Sequence, residues 1–231
     1  MVTATKVQNR ISDNGNGEVA IANRPSKAEK IVIPKPDFRR FTVTLQGLTP
    51  YIMHAFSDKA AQKIKDKQGQ KAREARGKRE PEKECWAAAY TIKGEAGKKG
   101  TVYGIPCRQI KAAMVGACRY VDGVPMTFAR GAFWITGEKN VNMATLNSNV
   151  PVMREDSIRL PNKALDLRYR PEFQDWSATV TVEYLATAIS AEMIVNLLSV
   201  AGRCCGIGEL RPCATTGPGG NNGLFSVGTT K

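Results

Sequence analysis

In this sequence the side chains able to hold a polyanion far outnumber those able to break a bond. The single histidine, His54, lies just beyond a short apolar segment, with Tyr51 and Lys59 near enough in sequence to assist it. An imidazole titrating near neutrality is a common general acid or base. His54 is therefore a catalytic candidate, though a weak one, since a lone histidine more often contacts phosphate or serves the structure. Asp156 and Asp166 stand among arginines, where carboxylates pair with guanidinium groups more often than they hold a metal. The cysteines, Cys85, Cys107, Cys118, Cys204, Cys205 and Cys213, form no C-x-x-C pair. They are expected as free thiols in a reducing cytoplasm rather than as a metal site. No P-loop, dinucleotide fingerprint or serine elbow is present, and Gly206-Ile207-Gly208 lacks the preceding strand that dinucleotide binding requires. The expectation is a binding protein without cofactor or metal, with His54-dependent cleavage as the alternative.

Charge points to the partner. Lys and Arg number 34 against 21 Asp and Glu, a net +13, and a chain this basic is best balanced by nucleic acid. From Ile105-Pro106 to about residue 121, helical periodicity puts Ile110, Ala113, Met114, Ala117 and Val121 on one face. Arg108, Lys111 and Arg119 then form a basic ridge on the opposite face. Arg203 and Arg211 flank Gly206 and Gly208, where absent side chains would let backbone N–H groups approach phosphate oxygens. Arg168 and Arg170 belong to a polar stretch that also holds Arg154, Arg159 and Lys163. Single strands are held by basic grooves together with stacking aromatics. Tyr51, Phe56, Trp86, Tyr103, Tyr169 and Phe173 are the candidates, most of them equally suited to a core. RNA and single-stranded DNA stay undivided, because contacts to a 2′-hydroxyl leave no local signature.

These residues need a scaffold. Phe41-Thr42-Val43-Thr44-Leu45 alternates as a half-buried strand does. The segment 131–136 reads as a short apolar strand whose aromatics fall on both faces, hence central or covered on both sides. Trp176, Ala178, Val180, Val182 and Tyr184 alternate with Ser177, Thr179, Thr181 and Glu183, the cleanest strand of the chain. Ser190 caps a helix with the stripe Ile194, Leu197, Leu198 and Ala201, and Gly202 supplies its stop. A final strand follows at 223–227. This order predicts an α+β fold with a ferredoxin-like βαββαβ core: an antiparallel sheet, both helices on one face, the other face free unless covered. Two long insertions interrupt it, at about 57–100 and 137–175. The first, with ten basic and five acidic residues between positions 59 and 84, reads as a solvated helical excursion followed by a flexible glycine–lysine loop. The second is polar, with a weak strand signal near 150–152. Residues 1–37 read as a disordered or extended arm without the apolar segment of a signal peptide. No run of 18 apolar residues occurs, so a soluble, cytoplasmic protein with no membrane partner is expected.

Three segments resemble the RAMP superfamily, the ferredoxin-like proteins that include backbone subunits of CRISPR effector complexes. The first is Gly47-Leu48-Thr49-Pro50-Tyr51-Ile52, similar to the family's exit from its opening strand. The second is Tyr103-Gly104-Ile105-Pro106-Cys107-Arg108-Gln109-Ile110-Lys111-Ala112-Ala113, similar to its entry into the first helix, with Cys107, Arg108 and Ala112 departing from the usual small residues. The third is the loop 202–223, in the place of the family's glycine-rich loop. The chain also resembles a family of phage proteins through its "IP…K…A…R" and "AG…GIGE" segments, Leu210 replacing an aromatic; this implies a phage-infected bacterial cytoplasm. The RAMP resemblance implies non-catalytic RNA binding by a protomer that stacks into a homo-oligomer or filament. Single-stranded DNA binding in phage replication or recombination is the alternative.

Overall fold

The computed structural model describes residues 33–56, 58–69, 78–138, 142–159, 163–214 and 219–228. From residue 36 onward they belong to one compact unit; the expected arm, up to residue 32, lies outside the described residues. In chain order the elements are β1 (Phe38–Gly47), β2 (Tyr51–Ile52), α1 (Asp58–Gln68), α2 (Pro81–Ala87), β3 (Thr91–Lys93), β4 (Val102–Pro106), α3 (Cys107–Ala117), α4 (Met126–Ala132), β5 (Phe133–Gly137), β6 (Met143–Asn147), β7 (Val152–Arg159), β8 (Leu165–Phe173), β9 (Ser177–Leu185), α5 (Ala191–Val200) and β10 (Phe225–Gly228).

The elements β1, α3, β5, β9, α5 and β10 make the ferredoxin-like core, with strand order β10-β1-β9-β5 and every neighbouring pair antiparallel. Register explains the burial. Val43 pairs with Val180, Leu45 with Ala178 and Ile135 with Val182, so the apolar residues of three strands share one face. The two helices pack against each other over that face and bury Ile110, Met114, Ile194 and Leu198 on it. On the opposite face the threonines pair across strands, Thr42 with Thr181 at 3.4 Å and Thr44 with Thr179 at 3.3 Å between hydroxyls. Ser190 Oγ accepts from the N–H of Met193 at 3.2 Å, the expected cap of α5.

Several elements depart from the sequence expectation. The segment 131–136 is neither central nor covered on both sides: Phe133 is buried, whereas Trp134 on the other face is exposed. Its first two residues belong to α4, a helix that the sequence did not announce. Gly202 is not the helix stop. The backbone runs on through a wider turn, Ala201–Cys205, and reverses at Gly206, whose φ is 64°. Gly202 is needed for close approach, because a Cβ there would run into the carbonyl oxygen of Phe225.

Described parts of both insertions fold onto the core, while α1 is largely exposed, as a solvated helical excursion would be. In the first, α2 buries Cys85 and β3 pairs with β4, extending the main sheet. The glycine–lysine loop is a series of turns with positive φ at Gly94, Gly97 and Gly100, where the Gly97 N–H donates to the Tyr103 hydroxyl at 2.9 Å. In the second, β6 bridges β9 and β4, and β7 and β8 form a hairpin whose β8 pairs with β2 as a second, three-stranded sheet.

Candidate nucleic-acid interface

After the wide turn the chain folds back over β2. The φ angles at Gly206, Gly208 and Gly223 are 64°, 77° and 68°. A Cβ at Gly208 would lie 2.6 Å from the Ile52 carbonyl oxygen and against the Tyr51 ring. The N–H groups of Gly206, Ile207, Glu209 and Gly223 donate to the carbonyls of Ala201, Gly223, Ile52 and Pro50. Gly206 and Gly208 are thus glycines because of their positive φ and, at Gly208, the close Ile52 carbonyl, and the N–H groups of Gly206, Ile207, Glu209 and Gly223 are bonded within the protein rather than free for a phosphate. What the loop offers a ligand is side chains.

Arg119 lies on the short helical turn after α3, and the next residue, Tyr120, sets its hydroxyl 3.5 Å from Cys213 Sγ in the loop. The same helix packs along the turn that carries Arg203. Arg119 and Arg203 are exposed and have no ion pair among the described residues. Arg108, on the first turn of α3, is likewise exposed and unpaired. Its neighbour Gln109 accepts from Tyr51 Oη at 3.0 Å, which ties that turn to β2, the strand beneath the loop. Arg211 is half-buried and donates through Nη1 to the Gly208 carbonyl at 2.6 Å. The Cys205 thiol beneath is pushed up to about 12 by burial and its Cys213 neighbour, so it is inert as a nucleophile.

Lys111 differs from its two ridge neighbours. Its Nζ donates to the carbonyls of Ala129 (2.7 Å) and Phe133 and sits 3.6 Å from the centroid of the Phe133 ring. Burial lowers its pKa to about 8. The ridge is interrupted at its centre, because α4 and β5 fold over this lysine.

Arg170 is 3% exposed and Arg168 half-buried. Arg170 Nη1 is 3.6 Å from Asp156 and Nη2 is 3.8 Å from Glu209. Arg154 spans Asp156 at 2.8 Å and Glu172 at 2.7 Å. Glu209 in turn lies 2.9 Å from His54 Nδ1. The hydrogen bond from His54, with the charges of Arg170 and Arg211, outweighs burial and holds Glu209 below the usual carboxylate range. Arg170 acts as an internal counter-ion joining the hairpin to the loop, and Glu209 fixes the His54 ring.

Among the aromatics, Tyr51, Tyr103 and Phe173 are core, with Tyr103 and Phe173 edge-to-face at 5.0 Å. Phe56 is exposed, while Trp86 and Tyr169 are half-buried. Sequence reasoning passed over Phe38, Arg40 and Trp134, although period-2 alternation from Thr42 already places Phe38 and Arg40 on the threonine face. Among the described residues no three His, Cys, Asp or Glu side chains gather to hold a metal. No helix among them is long and apolar enough to cross a membrane.

No family model and no curated protein matches the chain. Among solved structures it is similar to Cmr6 from Pyrococcus furiosus, with 9% identity and a TM-score of 0.40 over 82% of this chain and 97% of that one.

Proposed function

We propose that this protein binds single-stranded nucleic acid, RNA in the first place, without cleaving it. The observation that carries the reading is a division among the arginines. Arg79, Arg154 and Arg170 are matched to carboxylates. Arg108, Arg119 and Arg203, on α3 and the adjoining turns, are exposed and have no carboxylate partner among the described residues, in a chain of net charge +13. Unmatched cations that share one helix and the loop it touches suit successive phosphates of a polyanion. In this reading the half-buried Arg211 and Arg168 are secondary contacts, and the turns at Gly206 and Gly208 position the loop. The preference for RNA rests on the motif resemblance to RAMP proteins, and a cytoplasmic, phage-related setting on the separate resemblance to phage proteins. Nucleic acid that co-purifies with the protein, digested separately with RNase and DNase, tests it: RNase sensitivity is expected. Absence of bound nucleic acid, together with no binding to synthetic single strands, contradicts it.

A second reading, RNA cleavage, has one observation in its favour. Glu209 engages His54 through Nδ1, which leaves Nε2 to take a proton from a 2′-hydroxyl. Incubation with labelled RNA separates the two. The binding reading predicts intact RNA; cleavage that vanishes in His54→Ala would establish the other.

A further inference from the structure

We infer that the open sheet face is a stacking platform for bases of the bound strand, a second contact surface distinct from the arginine edge. The inference rests on the nucleic-acid reading above and extends it. Paired residues of antiparallel strands share a face, so Phe38, Arg40, Thr42, Thr44 and Gln46 of β1 stand beside Thr179, Thr181 and Glu183 of β9 and Trp134 and Thr136 of β5. No described segment covers this face. Phe38 and Trp134 reach across β9 and meet edge-to-face, ring centroids 5.6 Å apart, yet remain 51% and 46% exposed. Two large aromatics left half in water on an otherwise polar sheet are an unusual use of apolar surface.

The rest of the face decides the occupant. A protein partner would require an apolar interface core, whereas the remainder here is largely hydroxyl, amide and charge. A nucleobase needs a ring to stack on and polar groups for its edge, and both are present. Arg40, two residues from Phe38, is exposed and has no ion pair among the described residues, placing a cation where a backbone phosphate would pass. Glu183, paired in register with both Arg40 and Trp134, is placed to accept from a base amino group.

The test is a titration of the full chain with oligo(C) RNA, following tryptophan fluorescence and anisotropy in parallel at several salt concentrations. Trp176 is buried and Trp86 half-buried, so quenching on binding reports chiefly on Trp134. Trp134→Leu should weaken binding about tenfold or more and abolish most of the quenching. The salt slope should not change, since no cation is lost. Trp134→Tyr, which keeps a stacking ring, should restore most of the affinity; equal unfolding midpoints confirm that the variants are folded. If Trp134→Leu binds as the wild type does while charge reversal at Arg119 and Arg203 weakens binding, the platform is wrong and the nucleic-acid reading survives. Loss of self-association in Trp134→Leu with unchanged RNA affinity would assign the face to a second copy and overturn the platform. If the wild type binds no single strand, both fall.

Discussion

Lys111 and Arg119 stand on the same side of one helix in sequence, and their surroundings assign them different work. Lys111 donates to two main-chain carbonyls and covers an aromatic ring. Hydrogen bonds from a charged group contribute about 1.5–3 kcal/mol each, and part of that is offset by the desolvation that lowers the lysine's pKa. Lys111→Ala should therefore destabilise the fold by about 2 kcal/mol in urea unfolding while leaving the salt slope of binding unchanged; a shallower slope would return Lys111 to the interface. Glu209 gives a pH prediction. Its folded pKa lies below the unfolded value, so its stabilising contribution is present above the ordinary carboxylate pKa of about 4.3 and is lost as pH falls through the folded value. Wild type should be more stable than Glu209→Gln near neutral pH, and the gap should close under acid. A gap independent of pH would mean that the carboxylate charge is irrelevant to the His54–Glu209–Arg170 contact.

Element by element, the core was legible where one face is aliphatic. The alternation around Val43 and Val180 gave β1 and β9 with the correct faces, and Ser190 gave the start of α5. The hairpin β7–β8 stayed hidden because Arg154, Asp156, Arg170 and Glu172 do with ion pairs what aliphatic side chains do in β9, and pattern reading takes such a run for solvated loop. The glycines of the third motif were visible but their reason was not: crowding by Ile52, Ile207 and Phe225 depends on contacts distant in sequence. At the proposed interface the exposed arginines could be named from sequence, whereas the sheet-face pair could not, since Phe38 and Trp134 meet only across β9. Two substitutions separate glycines with different jobs. Gly202→Ala forces α5 away from β10 and should destabilise by about 1–3 kcal/mol, as overpacking does. Gly131→Ala, in α4 with open space around it, should be neutral or stabilising by up to about 1 kcal/mol. Thermal unfolding of both checks the contrast, and equal effects would show that the Phe225 contact does not constrain the fold.

For the whole molecule, the hairpin that joins the second sheet also presents Leu165, Leu167 and Met153 to solvent, and the outer edge of β7 has no strand partner among the described residues. We propose that this surface meets a second copy when both lie on one strand, a head-to-tail contact that need not close. Mass photometry with single strands of increasing length should show stoichiometry climbing with length, and Leu165→Lys with Leu167→Lys should hold it at one copy. A wild-type protein that stays monomeric at every length would end the filament proposal and leave the binding claim standing.

In the proposed complex, exposed arginines on α3 and the adjoining turn, without ion pairs among the described residues, hold the phosphates of a single strand. The most direct test is the salt dependence of RNA binding for the wild type and for the folded double variant Arg119→Glu, Arg203→Glu. The wild type should lose log K linearly against log salt, by about 0.7 per phosphate neutralised. The double variant should bind every sequence more weakly, with a slope shallower by about 1.4, two phosphate contacts at that value. A flat salt response of the wild type, or an unchanged slope in the double variant, would contradict the account.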